Sequence, residues 1–345
     1  MDKSAPDAKA IQKPFPLSSR VVIVGAGRFA RNYVRSLTEL YQNHGASSDA
    51  RPTLILTRTR ISSAKALVAE ISQSREPYPL NLEAAQVCNR HQLQGLLLDC
   101  LPRLTCITAR DPKSGDRIHA TYSLLALDYG AVLCEKPFTV AQDAEASQAA
   151  IDQLANHPQA GRFGLELPMA VVKEALLDHP FWGEKLRKAR KIDFLWQMQR
   201  TSKDLVSDLA LHPWSLVPAS GQVRAERIKS GPARIEAWLR WPSLADRGTY
   251  GCGRMVLDCG GEFRGMRVDD HVLQFRYAHD RLQVLEHRVS WEEATRSNTA
   301  AGSARVALEI DNPLRRNIAA ALQARPIIGC RQTIQSHLFA QNLCA

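Results

Sequence analysis

"RVVIVGAGRFARNYVRSLTELY", residues 20–41, runs from an apolar strand through two glycines into a helix. An unbroken run of valine and isoleucine favours a strand buried on both faces. Beyond the turn, apolar residues recur at three- and four-residue spacing, the helical period. Gly25, Gly27 and Ala30 form G-x-G-x-x-A at that junction. Gly25 permits a tight turn, Gly27 lets a pyrophosphate approach the backbone, and Ala30 lets the helix pack close to the sheet. The helix start adds free N–H groups and partial positive charge. The stretch therefore predicts a dinucleotide site, with Gly25, Ala26, Gly27, Arg28, Phe29 and Ala30 as candidate cofactor residues.

The same alternation continues downstream. "TLILTRTR" (53–60) reads as a strand and "SSAKALVAEI" (62–71) as a helix with a serine cap available. Residues 82–101 read as helix followed by an apolar stretch, with no clear boundary. "LTCIT" (104–108) is a strand, "DRIHATYSLLALDYG" (116–130) a helix, and "AVLCE" (131–135) another strand. Strand–helix alternation implies right-handed crossovers and a doubly wound parallel sheet. After about residue 160 the pattern changes. "RFGLEL" (162–167) is one more candidate strand. "KIDFLWQMQ", "ARIEAWLRW", "RMVLDCG", "HVLQFRYA" and "RLQVLEHRV" show strand-like alternation, with a helix, "SDLALHPWSLV" (207–217), among them. The expectation is an α/β chain: a flexible tail over 1–18, a dinucleotide-binding domain over 19–140, and an α+β domain over 141–345. The second domain would carry a large open mixed sheet, and its last helices can pack back on the first domain.

Composition narrows the function. The chain has 345 residues, 45% hydrophobic and 23% charged, which suits a two-domain globular protein. No apolar run approaches the roughly 20 residues of a membrane helix, and the N-terminal twenty residues lack the apolar core of a secretory signal. The net charge of +10 is spread along the chain; the densest cluster, "KLRKARK" (185–191), has no aromatic interleaving, so nucleic acid is not the expected partner. Eight cysteines contain no C-x-x-C pair and no zinc spacing. A reducing compartment, the cytoplasm, and no metal are the expectations.

Three places can carry chemistry. At the end of the second strand stand Thr57, Arg58, Thr59 and Arg60, where an NAD-selective site usually has a carboxylate. Arginine pairs with a 2′-phosphate and threonine can donate to it, so NADP(H) is favoured over NAD(H). Thr108, after the next strand of the sheet, is a further cofactor candidate. "CEKPF" then ends an apolar strand on Glu135, Lys136 and Pro137. Finally, Asp208 and His212 are four apart and share a helix face. Lysine and histidine form a plausible proton-handling pair, with Asp208 orienting the histidine or holding a substrate hydroxyl. Trp196 and Trp214 are candidate pocket walls.

In this order, "GAGRFA" (25–30), "GAVLCEKP" (130–137) and the Asp-x-x-x-His of "DLALH" (208–212) resemble the Gfo/Idh/MocA oxidoreductases. His119 matches a histidine frequent in that family, and "TR" of "LILTRTR" is similar to the Ser-Arg pair of NADP-using members. The resemblance implies a Rossmann domain, a second domain with an open sheet, and a homodimer or homotetramer. It also implies hydride transfer between a nicotinamide and a carbon bearing oxygen or nitrogen. Lys136, Asp208 and His212 take the family's catalytic positions, and the bond before Pro137 is often cis in relatives. Departures lie in "TARDPKSGDRIH", in "RTSKDLVSDLALH", and at Ser215, where relatives commonly carry a second Asp. They weaken the expectation of a sugar-polyol substrate and leave an imine reductase, or a catalytically silent NADP-binding sensor, as alternatives.

Overall fold

The computed structural model describes residues 19–27, 30–42, 51–73, 80–109, 118–139, 143–199, 205–246, 248–278, 281–296 and 304–344, without the side chains of 207, 208, 278 and 296. The expected tail at 1–18 lies outside them. The first half alternates β1 (Arg20–Val24), α1 (Ala30–Gln42), β2 (Thr53–Arg58), α2 (Ile61–Ser72), β3 (Asn81–Gln86), α3 (Arg90–Cys100), β4 (Leu104–Ile107), α4 (Ile118–Leu127), β5 (Ala131–Glu135), α5 (Ala144–Asn156) and β6 (Phe163–Glu166). These six strands make one parallel sheet in the order β3-β2-β1-β4-β5-β6. The strand order reverses at β1/β4, the crevice where doubly wound sheets bind dinucleotides.

Period-two alternation explains why both faces are covered. Val21 and Ile23 point into a core with α1 and α2, whereas Val22 and Val24 point into the opposite core with α3 and α4. In β5, Leu133 joins the first core and Val132 and Cys134 the second. Residues 82–101 resolve as strand, then helix: Asn89 caps α3 by accepting from the Gln92 N–H (3.0 Å). The apolar stretch "LQGLLLDCL" (93–101), read as following a helix, falls within and just past α3 itself. The β3 stretch "NLEAAQ" is an edge strand with no fully buried residue, so it lacks an apolar signature. The parallel sheet also extends past residue 140, because β6 pairs with β5.

The rest of the chain comprises α6 (Pro168–Asp178), α7 (Pro180–Lys188), β7 (Ile192–Gln197), α8 (Leu211–Leu216), β8 (Arg224–Ser230), β9 (Arg234–Pro242), β10 (Tyr250–Asp258), β11 (Arg264–Val268), β12 (His271–Ala278), β13 (Arg281–His287), α9 (Trp291–Arg296), β14 (Ala304–Asp311), α10 (Pro313–Leu322) and α11 (Cys330–Cys344). Its eight strands form a mixed sheet, β14-β13-β12-β11-β7-β10-β9-β8, in which only β7 and β10 run parallel. Along β9, Ile235, Ala237, Leu239 and Trp241 are buried while Trp238 and Arg240 face out. The outer face is laced with ion pairs, including a two-bond Arg254–Glu236 bridge (2.7 Å each). α10 returns to the first sheet, burying Ile318, Ala321 and Leu322 against the α1 side. That return closes one wall of the site. No described helix is long and apolar enough to cross a membrane.

Candidate active site

The glycine turn after β1 is braced from beneath. Gly25 has φ +83°, and a Cβ there would lie 2.2 Å from the Ala109 Cα. Only glycine fits both the left-handed backbone and the approach of the β4 loop. Its N–H donates to Thr57 Oγ1 (3.2 Å), and the Ala26 N–H donates to the Thr57 carbonyl (2.8 Å). Thr108 Oγ1 donates to the carbonyls of Val24 (3.2 Å) and Gly25 (3.0 Å). Gly27, by contrast, is exposed, and among the described residues a Cβ on it would meet only the Gly25 oxygen, at 3.6 Å. The turn is thus braced from below, with Gly27 exposed, which fits a pyrophosphate.

The threonines therefore differ in role from the sequence reading. Thr57 has no exposed surface, so its hydroxyl holds the turn and does not face a ligand. Arg58, half-buried, donates from Nε to the Ala26 carbonyl (2.6 Å), tying the β2 end to the turn. Thr59 and Arg60 are exposed beside it. Ala30 is buried at the first residue of α1. Arg28 and Phe29 lie outside the described residues.

At the carboxyl ends of β5 and β6 the chain opens a cleft of about 330 Å³, lined by residues of both sheets and of α1, α8 and α10. Lys136 and His212, 76 positions apart in sequence, stand in its wall together. The Lys136–Pro137 peptide is cis. Pro137 is buried, and its carbonyl is 2.8 Å from Nδ1 of fully buried His119. Glu135, half-buried, lines the cleft beside Lys136.

His212 is the second residue of α8, just after a π-type turn over Val206–Ala210. The wider turn is a local irregularity of the kind that often marks functional helices. Trp196, buried at the end of β7, stacks on the imidazole with ring centroids 5.4 Å apart and planes 11° off parallel. Desolvation, then the charges of Lys136 and Arg264, hold His212 well below the usual imidazole range, so it is neutral near pH 7. The backbone of Asp208 lies in the π-type turn, but its side chain is outside the described residues.

Trp214 does not reach this cleft. It packs on Phe339 and lines a separate hollow with Lys173 and Arg331. Residues two apart on a helix project about 200° from one another, so His212 and Trp214 cannot share a face. That signal was present in the sequence. Glu166 has no such local signal, because its place depends on which strand neighbours β5. Parallel strands end side by side, so the glutamate closing "FGLE" falls opposite the glutamate closing "AVLCE", and the register pairs Glu135 with Glu166. Desolvation first, and Glu135 second, raise the Glu166 carboxyl to about 8, against a smaller opposing pull from Lys136. Tyr277, from β12, and Asn312, which caps α10 by accepting from the Arg315 N–H (3.1 Å), also line the cleft. Tyr277 carries no sequence signal of this role.

Because folding raises the Glu166 value, its contribution to stability is full below about 4.5 and is lost as pH rises through about 8. Glu166→Gln is expected to flatten the fall of the unfolding midpoint between those limits and to exceed wild type in stability above pH 8. Parallel midpoint curves for the two proteins would contradict the assignment.

Comparisons with solved structures return the same architecture along the full chain. A levoglucosan dehydrogenase in complex with NADH and L-sorbose superposes with TM-score 0.61 at 11% identity, over 95% of this chain and 96% of the other. An oxidoreductase from Sinorhizobium meliloti gives 0.57 at 13% identity, covering 95% and 96%. Biliverdin reductase from Synechocystis sp., in complex with biliverdin and NADP+, gives 0.53 at 15%, covering 94% and 98%. The chain shares the fold of these proteins. No family model matches it, and no curated protein matches it in sequence.

Ser215, standing where a second acid is common, is buried and donates from Oγ to the His212 carbonyl (2.9 Å), inside its own helix. It serves the helix that carries the histidine. "RDPKSGDR" (110–117) and "RTSKD" (200–204) lie outside the described residues.

Proposed function

We propose that the chain is an NADP(H)-dependent oxidoreductase that moves hydride between the nicotinamide and a carbonyl or alcohol carbon of a sugar-like small molecule. The observation that carries this reading is the meeting of Lys136 and His212 in one cleft, at the strand ends of a sheet that also presents the Gly25–Gly27 turn. A bound nicotinamide supplies the hydride. In the reducing direction Lys136 gives a proton to the developing alkoxide, and its charge stabilises that oxygen as electrons arrive. Neutral His212 hydrogen-bonds the same oxygen, and in the oxidising direction it accepts the alcohol proton. Trp196 fixes the ring plane, and Glu135 and the buried Pro137 fix the strand end from which Lys136 projects. Gly25, Ala26, Gly27 and Ala30 form the pyrophosphate cradle, with Thr57 and Thr108 holding it from behind.

The choice of NADP(H) rests on the β2 end, where Arg58, Thr59 and Arg60 stand without a carboxylate. Arg58→Ala is expected to weaken NADPH binding by about tenfold or more while changing NADH binding far less, because a charge-assisted contact to the 2′-phosphate is lost. Equal losses for both cofactors, read by nicotinamide fluorescence titration, would place 2′-phosphate recognition elsewhere.

A C=N substrate is the second reading. Pro168, Pro313 and Leu314 make part of the wall apolar, which accommodates a cyclic imine as readily as a polyol. Following nicotinamide absorbance with sugars, keto-sugars and cyclic imines separates the two. Tight cofactor binding with no turnover across that panel would point to a sensor instead. A homodimer or homotetramer completes the proposal, supported by Trp238 (38% exposed) and Tyr250 (55%) on neighbouring strands of the open sheet. A monomeric mass in solution would contradict it.

A further inference from the structure

The cleft needs a source for the proton that Lys136 gives away, and His212, neutral and desolvated, is a poor one. Two carboxyl groups stand at the required place. Glu135 and Glu166 are register partners on adjacent parallel strands, which lie about 4.8 Å apart in a sheet. Both line the cleft with Lys136. Two carboxylates so close, and partly removed from water, do not both ionise readily.

Resting on the oxidoreductase reading, we propose that the Glu135–Glu166 pair is the proton store of the cleft, and that Glu166 restores the proton of Lys136 after each transfer. The substrate oxygen or nitrogen takes its proton from the Lys136 ammonium as hydride reaches the adjacent carbon, so the substrate is reduced and the cofactor oxidised. The Glu166 carboxyl then protonates the Lys136 amine, becomes a carboxylate, and regains a proton from solvent before the next turnover. Overall one proton and one hydride are consumed per product.

The surroundings of Glu166 agree with this. The cleft that Glu166 lines also holds Glu135 at the end of β5, Lys136 just after it, Tyr33 and Arg35 of α1, His212 of α8 and Tyr277 of β12. Arg264 of β11 acts on His212 and Tyr277. On α10, Asn312 is uncharged, Arg315 pairs with Glu39 (3.0 Å) and Asp311, and Arg316 acts on Glu174 of α6. On α6 itself, Lys173 and Glu174 act on each other. On α11, which packs against β6, His337 Nδ1 lies 2.6 Å from Thr139 Oγ1. Tyr33 and Tyr277 are both held above the usual phenol range, desolvation leading and Glu166 contributing, so neither competes as an acid near neutrality. Burial and the neighbouring carboxylate raise Glu166 to about 8, close to the working range of a general acid.

Infrared difference spectra of the cofactor-free protein, titrated from pH 5 to 10, test the pair directly. The expected result is a carboxylic-acid C=O band that disappears with a midpoint near 8 and is absent from Glu166→Gln. In Glu135→Gln the midpoint should fall, since one of the two raising causes is gone. No such band, or a band surviving in Glu166→Gln, overturns the proposal. A second readout is the pH dependence of turnover with NADPH and a substrate accepted in the panel above. Wild type should lose rate as pH rises through about 8, whereas Glu166→Gln should be slower and lose that limb, and Glu166→Asp should restore it. An unchanged limb in Glu166→Gln overturns the relay. The band without turnover of any substrate overturns the oxidoreductase reading, and with it the relay, while leaving the shared proton. Turnover without the band does the reverse.

Discussion

Lys136→Ala is expected to lower turnover by at least about a hundredfold while leaving NADPH affinity within about twofold of wild type. The asymmetry follows from where the lysine stands. It lines the cleft with His212, Glu166 and Tyr277, at the far side of β5 and β4 from the Gly25–Gly27 turn that would hold the phosphates. Losing it removes a proton donor and a positive charge that matters most as charge develops on the substrate, so the loss falls on the transition state. Lys136→Arg keeps the charge but presents a planar group that does not readily give up a proton, and it should recover little activity. Steady-state rates beside a fluorescence titration check both. Unchanged turnover would remove Lys136 from the chemistry, and a parallel collapse of NADPH binding would make it a cofactor contact.

The second large effect is expected at Gly25. Alanine there adds a Cβ that would lie 2.2 Å from the Ala109 Cα, in a backbone conformation of φ +83° that costs an L-residue about 1–2 kcal/mol by itself. The Ala109 backbone cannot swing aside like a side-chain tip, so either the β1 turn or the β4 loop must move. Moving the turn breaks its bonds to Thr57 and Thr108 and misdirects the N–H groups meant for the pyrophosphate. Gly25→Ala should therefore lose at least about 2 kcal/mol of stability and bind NADPH at least about tenfold more weakly. Gly27→Ala, which among the described residues meets only an oxygen at 3.6 Å, should fold normally and lose cofactor affinity alone. Thermal unfolding with and without NADPH separates these outcomes, and a normal melting point for Gly25→Ala would contradict the close approach.

What could be read in advance divides along physical lines. The glycine turn, the alternation of strand and helix, and the E-K-P strand end are local signals, and they suffice for the parallel sheet and for the placing of Lys136. Strands with little to bury leave no such signal. "NLEAAQ" and "RAERIKS" sit at sheet edges, with charged or small residues and little core contact. Helix periodicity would have set Trp214 apart from His212 had the angle between them been counted. Thr57 looked available because strand ends are commonly exposed, yet the tight turn folds over it. The pairing of Glu135 with Glu166 depends on which strand neighbours which, a property of topology that no single segment carries. Tyr277 lines the cleft, and Trp196 stacks on His212, only through the packing of the second sheet, which is likewise non-local.

The position of a bound dinucleotide decides the roles of Lys136 and His212. A crystal structure of the full chain with NADP+ is predicted to show the pyrophosphate on Gly25–Gly27 and the 2′-phosphate at Arg58. The nicotinamide should stand between Lys136 and His212, with room for a substrate carbon roughly 3.5 Å from its reactive face. A dinucleotide bound away from that turn, or a nicotinamide directed out of the cleft of Lys136 and His212, would contradict it.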